Sequence, residues 1–306
     1  MRDKIFIKQI EQYLDKIGFS ASSIKPITNS GVSSNVFMVK TSNGHCIYLK
    51  ISHTHDVDFH VQKIVTDMLI NLGVKTPKII FVDMNSELEG RDIALLEDMV
   101  GSSETSKKVQ VHVGSISEQI AIINSTEIKG FGEITFNQQK LVGKYSNFRD
   151  YFLNTYELNL NRIVRMDSNA VIKNLPIHSR FKSLINASER LIDGRLVHAD
   201  IPSHIFIDNN QYVGIIDFDD IHSSLPYYDI FEISYAYDRS VTAPLINHWY
   251  KHMKVAEYEE FKVLAKILYL IIEAHNAMQT FGSFHRQSDK EYYDKMCLEL
   301  FEISRK

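Results

Sequence analysis

The feature that most limits what this chain can fold into is the run at residues 196–229, LVHADIPSHIFIDNNQYVGIIDFDDIHSSLPYYD. Two apolar segments, Ile205-Phe206-Ile207 and Tyr212 to Ile216, are rich in β-branched and aromatic residues. They flank Asp208-Asn209-Asn210-Gln211, where Asp and Asn tolerate turn geometry. The pattern predicts a β-hairpin. In an antiparallel hairpin the residue before the first strand meets the residue after the second at the open end, so His204 is expected beside Asp217, with Asp200 in the loop just before them. Ionised carboxylates crowded together repel unless a cation lies between them, and a divalent metal is the natural remedy.

Composition narrows the partners. The chain has 306 residues, enough for two lobes of ordinary domain size, and a formal net charge of -4 with Lys and Arg scattered. That gives no footprint for nucleic acid, while mild acidity suits a cationic substrate. Cys46 and Cys297 lie far apart, which argues against a disulfide framework or a cysteine zinc site. The N-terminal segment is amphipathic rather than a signal core, and no apolar run reaches membrane-spanning length, so a cytoplasmic protein without a membrane partner is expected. Oligomeric state is left open.

His198-Ala199-Asp200, His204 and Ile215-Ile216-Asp217-Phe218 resemble the catalytic and metal-binding segment of the aminoglycoside phosphotransferase family, protein-kinase-like small-molecule kinases that include the macrolide phosphotransferases. The resemblance implies an α+β, two-lobed protein-kinase-like fold with an antiparallel N-terminal sheet, a flanking helix and a mainly helical C-terminal lobe. It implies a nucleotide-binding lobe at 1–97, a hinge at 98–101 and a catalytic, acceptor-binding lobe at 102–306. The implied reaction moves the γ-phosphoryl group of ATP or GTP, with Mg2+, to a hydroxyl of an aminoglycoside-like or other antibiotic or metabolite acceptor. By resemblance Asp200 orients the acceptor hydroxyl, and His204 and Asp217 hold the metal. The family spacing puts the first metal ligand five residues after the catalytic Asp; here His204 is four after it, and His fills that place in macrolide phosphotransferases. His198 would brace the catalytic loop, and Asp229 would tie the metal loop to the following helix.

Other segments follow the same resemblance. Lys50 interrupts an apolar strand, which is costly unless its ammonium meets an anion, and kinase-like folds use such a lysine to hold the α- and β-phosphates. Ser30, Gly31, Ser33 and Ser34 lie in a small-residue loop similar to the phosphate-covering loop. A helix is expected over 57–72, burying Val61, Ile64, Val65, Met68, Leu69 and Leu72. The family presents a Glu there for the lysine; this chain has none, and Gln62 or Asp67 must stand in. Backbone groups near Glu97 and Met99 would meet the purine. Further helices are expected over 5–17, 115–125, much of 147–191, 230–236, 243–253, 261–278 and 289–303. Asp219 and Asp220 read as support for the metal, as a solvated run or as a group facing a cationic acceptor; Glu273 and His275, buried by pattern among Ile271, Ile272 and Met278, read as pointing into an acceptor cleft or as an exposed helix face. Two other functions compete. The missing Glu, the short catalytic loop and His in place of Asn fit a nucleotide-binding pseudokinase, and Asp217-Phe218-Asp219 resembles the Asp-x-Asp of haloacid-dehalogenase-type phosphatases, with Asp217 as nucleophile and Asp219 as acid/base.

Overall fold

The computed structural model describes residues 2–27, 34–53, 57–99, 102–103, 106–166, 172, 175, 177–253, 255–280 and 287–305. The chain packs into two compact units, residues 1–122 with 203–220, and residues 123–202 with 221–306. The compact units therefore do not follow a single cut at 98–101, because the hairpin segment packs with the N-terminal residues.

The first unit opens with α1 (Arg2–Lys16), whose Ile10, Tyr13 and Leu14 are buried at helical spacing. The strands β1 (Ala21–Pro26), β2 (Ser34–Thr41) and β3 (Cys46–Ser52) follow, then α2 (Phe59–Asn71), β4 (Ile79–Asp83) and β5 (Ile93–Glu97). They form an antiparallel sheet in the order β1-β2-β3-β5-β4. Alternation along β3 sends Ile47, Leu49 and Ile51 into a core shared with α1, each fully buried aliphatic side chain contributing about 1.5–3 kcal/mol. Lys50 stands opposite Ala94 on the other face, where Ala94 packs with Phe59 of α2. Asp58 caps α2, its Oδ1 accepting from His60 N and Val61 N at 3.0 Å each. The buried stripe of α2 includes Phe59, Gln62, Thr66 and Leu69, so a polar Gln62 is held inside. Leu72, expected in that stripe, is the C-cap and is 52% exposed, because the helix ends one residue earlier. Three short elements, β6 (Ser102–Ser103), α3 (Ser106–Val111) and α4 (Val113–Ser125), complete this stretch.

The second unit begins with strands that the sequence reading did not foresee: β7 (Glu127–Lys129), β8 (Phe131–Asn137) and β9 (Lys140–Tyr145). The expected helical region 147–191 resolves into α5 (Phe148–Met166), α6 (Ile177–Arg180), α7 (Lys182–Ala187) and a 3-10 turn at Ser188–Arg190, followed by β10 (Asp193–Val197). The chain then enters the first unit for β11 (Ile205–Asp208) and β12 (Gln211–Ile215), and returns at β13 (His222–Ser224). A small closed barrel runs β10-β13-β8-β9-β7, with β7 and β9 the parallel pair. Gly130 makes its corner at φ +80°, where a Cβ would stand 2.6 Å from Tyr145 O.

The C-terminal third is helical as expected: α8 (Tyr228–Ala236), α9 (Arg239–His252), α10 (Lys262–Thr280) and α11 (Gln287–Arg305). α9 starts four residues before the expected Ala243 because Asp238 caps it, accepting from Ser240 N at 3.1 Å. α10 is buried over most of its surface, and of the two positions read for His275, inside or on an exposed face, it takes the inner one, 3% exposed. Among the described residues no helix is long and apolar enough to cross a membrane.

Candidate active site

The hairpin forms as its sequence dictates. Ile205 pairs with Ile215, and Asn209 and Asn210 take the turn at φ +45° and +60°, a two-residue loop that matches strand twist. β11 also pairs with β6, and Gly214 lies so close to Lys75 O that a Cβ would stand 2.4 Å from it. At the open end Ile216 N donates to His204 O at 3.1 Å, fixing His204 across from the residue before Asp217.

Around Asp217 the first unit gathers a charged cluster. Lys50 Nζ donates to Asp217 Oδ1 at 2.7 Å and to Asp219 Oδ1 at 2.6 Å, and His204 Nε2 lies 3.4 Å from Asp217 Oδ2. Gln62 Nε2 donates to Asp219 Oδ1 at 3.1 Å. Burial pulls the Lys50 ammonium toward its neutral form, but Asp219 and then Asp217 outweigh it and hold the lysine above its ordinary pKa. Burial likewise opposes the Asp217 carboxylate, and Lys50 and then His204 overcome it, holding the acid below its usual range. Asp217 itself adopts φ +63°, a left-handed conformation that costs a non-glycine residue about 1–2 kcal/mol and aims its side chain at Lys50 and His204.

Octahedral magnesium holds ligands about 2.1 Å away, which sets adjacent ligand atoms about 3 Å apart. Asp217 Oδ2 and His204 Nε2, 3.4 Å apart, suit a shared cation. Among the described residues no group of three or more His, Cys, Asp or Glu could hold a metal. Two protein ligands fit a cation that takes its remaining ligands from water and phosphate, as magnesium does at phosphoryl-transfer sites.

The second unit holds the loop that carries Asp200. His198 is fully buried, and its Nδ1 accepts from Asp200 N at 3.2 Å, so the ring proton sits on Nε2 when the imidazole is neutral. Asp229 accepts from His198 N at 3.1 Å, from Ala199 N at 2.9 Å and from Asn124 Nδ2 at 2.7 Å, and Asn124 in turn accepts from Trp249 Nε1 at 3.0 Å. Ala199 is at φ +66°. One helical turn on from Asp229, Glu232 Oε2 accepts from Ile201 N at 3.0 Å, and Tyr237 at the end of α8 donates to Pro202 O at 2.8 Å. The amides of residues 198–201 are thus each met by a side chain. Burial, then Asp229 and Asp200, push Glu232 well above the carboxylate range against the bond from Ile201 N.

Of the residues singled out in the sequence, Lys50, Gln62, His204 and Asp217 come together in the first unit, and Asp200 stands in the second. Ser30, Gly31 and Ser33 lie outside the described residues. Ser34 opens β2 with its hydroxyl buried and without a hydrogen-bond partner among the described residues. Glu97 closes β5, exposed, with its N–H donated to Lys78 O at 2.9 Å, and Met99 is half-buried. Asp67 pairs with Lys63 at 2.8 Å on the helix surface. Asp219, read in the sequence among other things as a solvated run, has a side chain 6% exposed that meets Lys50, while Asp220 is exposed. The absence of Glu from α2 was the signal, since a buried lysine must find its carboxylate elsewhere.

A model of the phosphotransferase enzyme family matches residues 23–261 of this chain. No curated protein matches it in sequence. Among solved structures it is similar to a thermostable mutant of aminoglycoside phosphotransferase APH(4)-Ia in ternary complex with AMP-PNP and hygromycin B, at 15% identity and a TM-score of 0.68 over 96% of this chain and 98% of that one. It is similar to the macrolide 2'-phosphotransferase MphH from Brachybacterium faecium, apoenzyme, at 10% identity and a TM-score of 0.61, covering 95% and 98%. The GDP and kanamycin complex of APH(2")-IIia matches at 14% identity and a TM-score of 0.59, covering 97% and 98%. At these identities the likeness is one of fold.

Proposed function

The chain belongs to the phosphotransferase enzyme family, and from that premise we propose that it transfers the γ-phosphoryl group of ATP or GTP to a hydroxyl of a small molecule. The observation that carries the reading is the meeting of Lys50, Asp217 and His204 at the mouth of the hairpin. Lys50 binds the α- and β-phosphates, assisted by the loop that contains Ser30, Gly31, Ser33 and Ser34. Asp217 and His204 hold Mg2+, which when bound neutralises charge on the phosphate oxygens. Because the Glu97 N–H is already bonded within the sheet, the backbone donor to the purine is Met99. Asp200 accepts a hydrogen bond from the acceptor hydroxyl and aligns it, and takes its proton as the bond to phosphorus forms. His198, Asp229 and Glu232 keep the Asp200 loop in place through its amides. In this reading residues 1–97 serve the nucleotide, 98–101 form the hinge and 102–306 serve catalysis and the acceptor, in a cytoplasmic enzyme.

The acceptor we propose is an amine-bearing hydroxyl compound, supported by the net charge of -4 and by half-buried Glu273 on α10. The pseudokinase reading loses one of its motives, the missing helix Glu, since Lys50 does have a carboxylate partner. The phosphatase reading needs Asp217 and Asp219 available for attack and proton transfer, and both are tied to Lys50. Incubation with labelled ATP or GTP, Mg2+ and a panel containing hygromycin B, kanamycin and a macrolide tests the proposal. Label should move to one acceptor, and Asp200→Asn should abolish transfer; undiminished transfer by that variant removes Asp200 from the mechanism.

A further inference from the structure

Lys50 is buried on β3, and a buried ammonium needs a carboxylate. The helix that flanks it offers none: Asp67 is the one acid of α2, and it is engaged with Lys63. Among the described residues, the carboxylates that meet Lys50 are Asp217 and Asp219, two positions apart on the loop after β12. They differ in their other partners. Asp217 is turned toward His204. Asp219 is turned toward α2, and a single oxygen, Oδ1, accepts both from Lys50 Nζ at 2.6 Å and from Gln62 Nε2 at 3.1 Å.

That arrangement explains why position 62 is a glutamine. The residue lies on the buried stripe of α2, one turn past the Asp58 cap, so its side chain must satisfy its polar atoms inside. A carboxylate has only acceptors, and a second carboxylate placed against Asp219 would repel it; an amide supplies the N–H the oxygen can take. Donor and acceptor are thus matched across two elements more than 150 residues apart in sequence.

We infer that Asp219 is the residue that positions Lys50, with Gln62 as its orienting partner, so that the carboxylate usually drawn from the helix comes instead from the metal-side loop and Asp217 is left for the cation. The inference rests on the reading of Lys50 as a phosphate-binding residue. Under it, Asp217 exchanges Lys50 for the cation when nucleotide arrives, and Asp219 keeps the ammonium in place throughout.

The test is a charge-transposition cycle: wild type, Gln62→Glu, Asp219→Asn and the double variant. Each is measured for thermal unfolding without nucleotide or metal, and by calorimetry for affinity toward ATP and GTP with Mg2+. Gln62→Glu sets two carboxylates against each other, and Asp219→Asn removes the charge from Lys50. Each single variant should melt lower and bind nucleotide about tenfold more weakly or worse, the scale of a lost hydrogen bond to a charged group. In the double variant the amide introduced at 219 can accept from Lys50 and donate to the carboxylate introduced at 62, so melting and affinity should both recover most of the loss. A merely structural role for either residue predicts additive losses, and additive losses overturn the inference, as does a single variant that matches wild type. Should Asp219→Asn not fold, Gln62→Ala gives the second arm: it should weaken nucleotide binding several-fold, and unchanged binding overturns the inference. If wild type binds neither nucleotide, the phosphate-binding reading fails, and recovery or additivity in the melting cycle alone then decides whether Asp219 and Gln62 set Lys50.

Discussion

A carboxyl group that accepts one backbone amide can do so charged or neutral, and Glu232 is placed to use its neutral form. Its Oε2 accepts from the amide of fully buried Ile201, next to Asp200, while burial and two neighbouring acids push its pKa well up. Glu232→Gln, an isostere of the neutral acid, should therefore unfold in urea within about 0.5 kcal/mol of wild type. Glu232→Ala leaves the Ile201 N–H buried without a partner and should cost about 1–3 kcal/mol. If the two variants lose equal stability, the charge matters and the neutral account is wrong. Asp229 differs in its partners: burial raises its pKa as well, but its carboxyl receives donors from three residues, whereas Glu232 accepts from Ile201 N and feels the charges of Asp229 and Asp200.

Of the elements that carry the first-unit cluster, α2 and the hairpin each depend on a local device. α2 keeps Gln62 at the right height because Asp58 fixes its first turn. The hairpin keeps His204 against Asp217 because two asparagines accept positive φ and because Gly214 lets Lys75 O bond Ile215 N at 2.9 Å. Asp58→Ala should lower stability by about 1 kcal/mol, as a lost N-cap does. Gly214→Ala should lower it by more, since the new Cβ would stand 2.4 Å from a backbone oxygen that cannot yield without moving the hairpin. Urea titration of both variants orders the two effects, and a milder Gly214→Ala would mean that the hairpin is free to shift.

Across the whole molecule, α10 makes stability depend on acidity. His275 is buried near its C-terminal end with Nε2 unpaired among the described residues, and burial followed by Arg162 hold its pKa below 6.5. The unfolded chain takes up that proton first, so the contribution of neutral His275 is complete above about pH 6.5 and is lost as pH falls below it toward the folded value. His275→Leu should flatten the fall in melting temperature between about pH 7 and pH 5 relative to wild type. Parallel curves for the two proteins would rule the residue out as a source of acid sensitivity.

The amino-acid sequence by itself determined the hairpin, the meeting of His204 with Asp217, the helix over α2 and the need of Lys50 for an anion. These follow from periodicity, turn chemistry and the cost of burying charge, all of which act between residues close in the chain. It did not reveal β7 to β9, although residues 131–145 form two strands about the turn at Gln138 and Gln139, because a three- to seven-residue strand acquires its identity from the barrel that pairs it. Nor could it assign Asp219 to Lys50. Only the tertiary structure decided those, since the Lys50–Asp219 bond spans 169 residues and arises from packing that brings β3, α2 and the loop after β12 together.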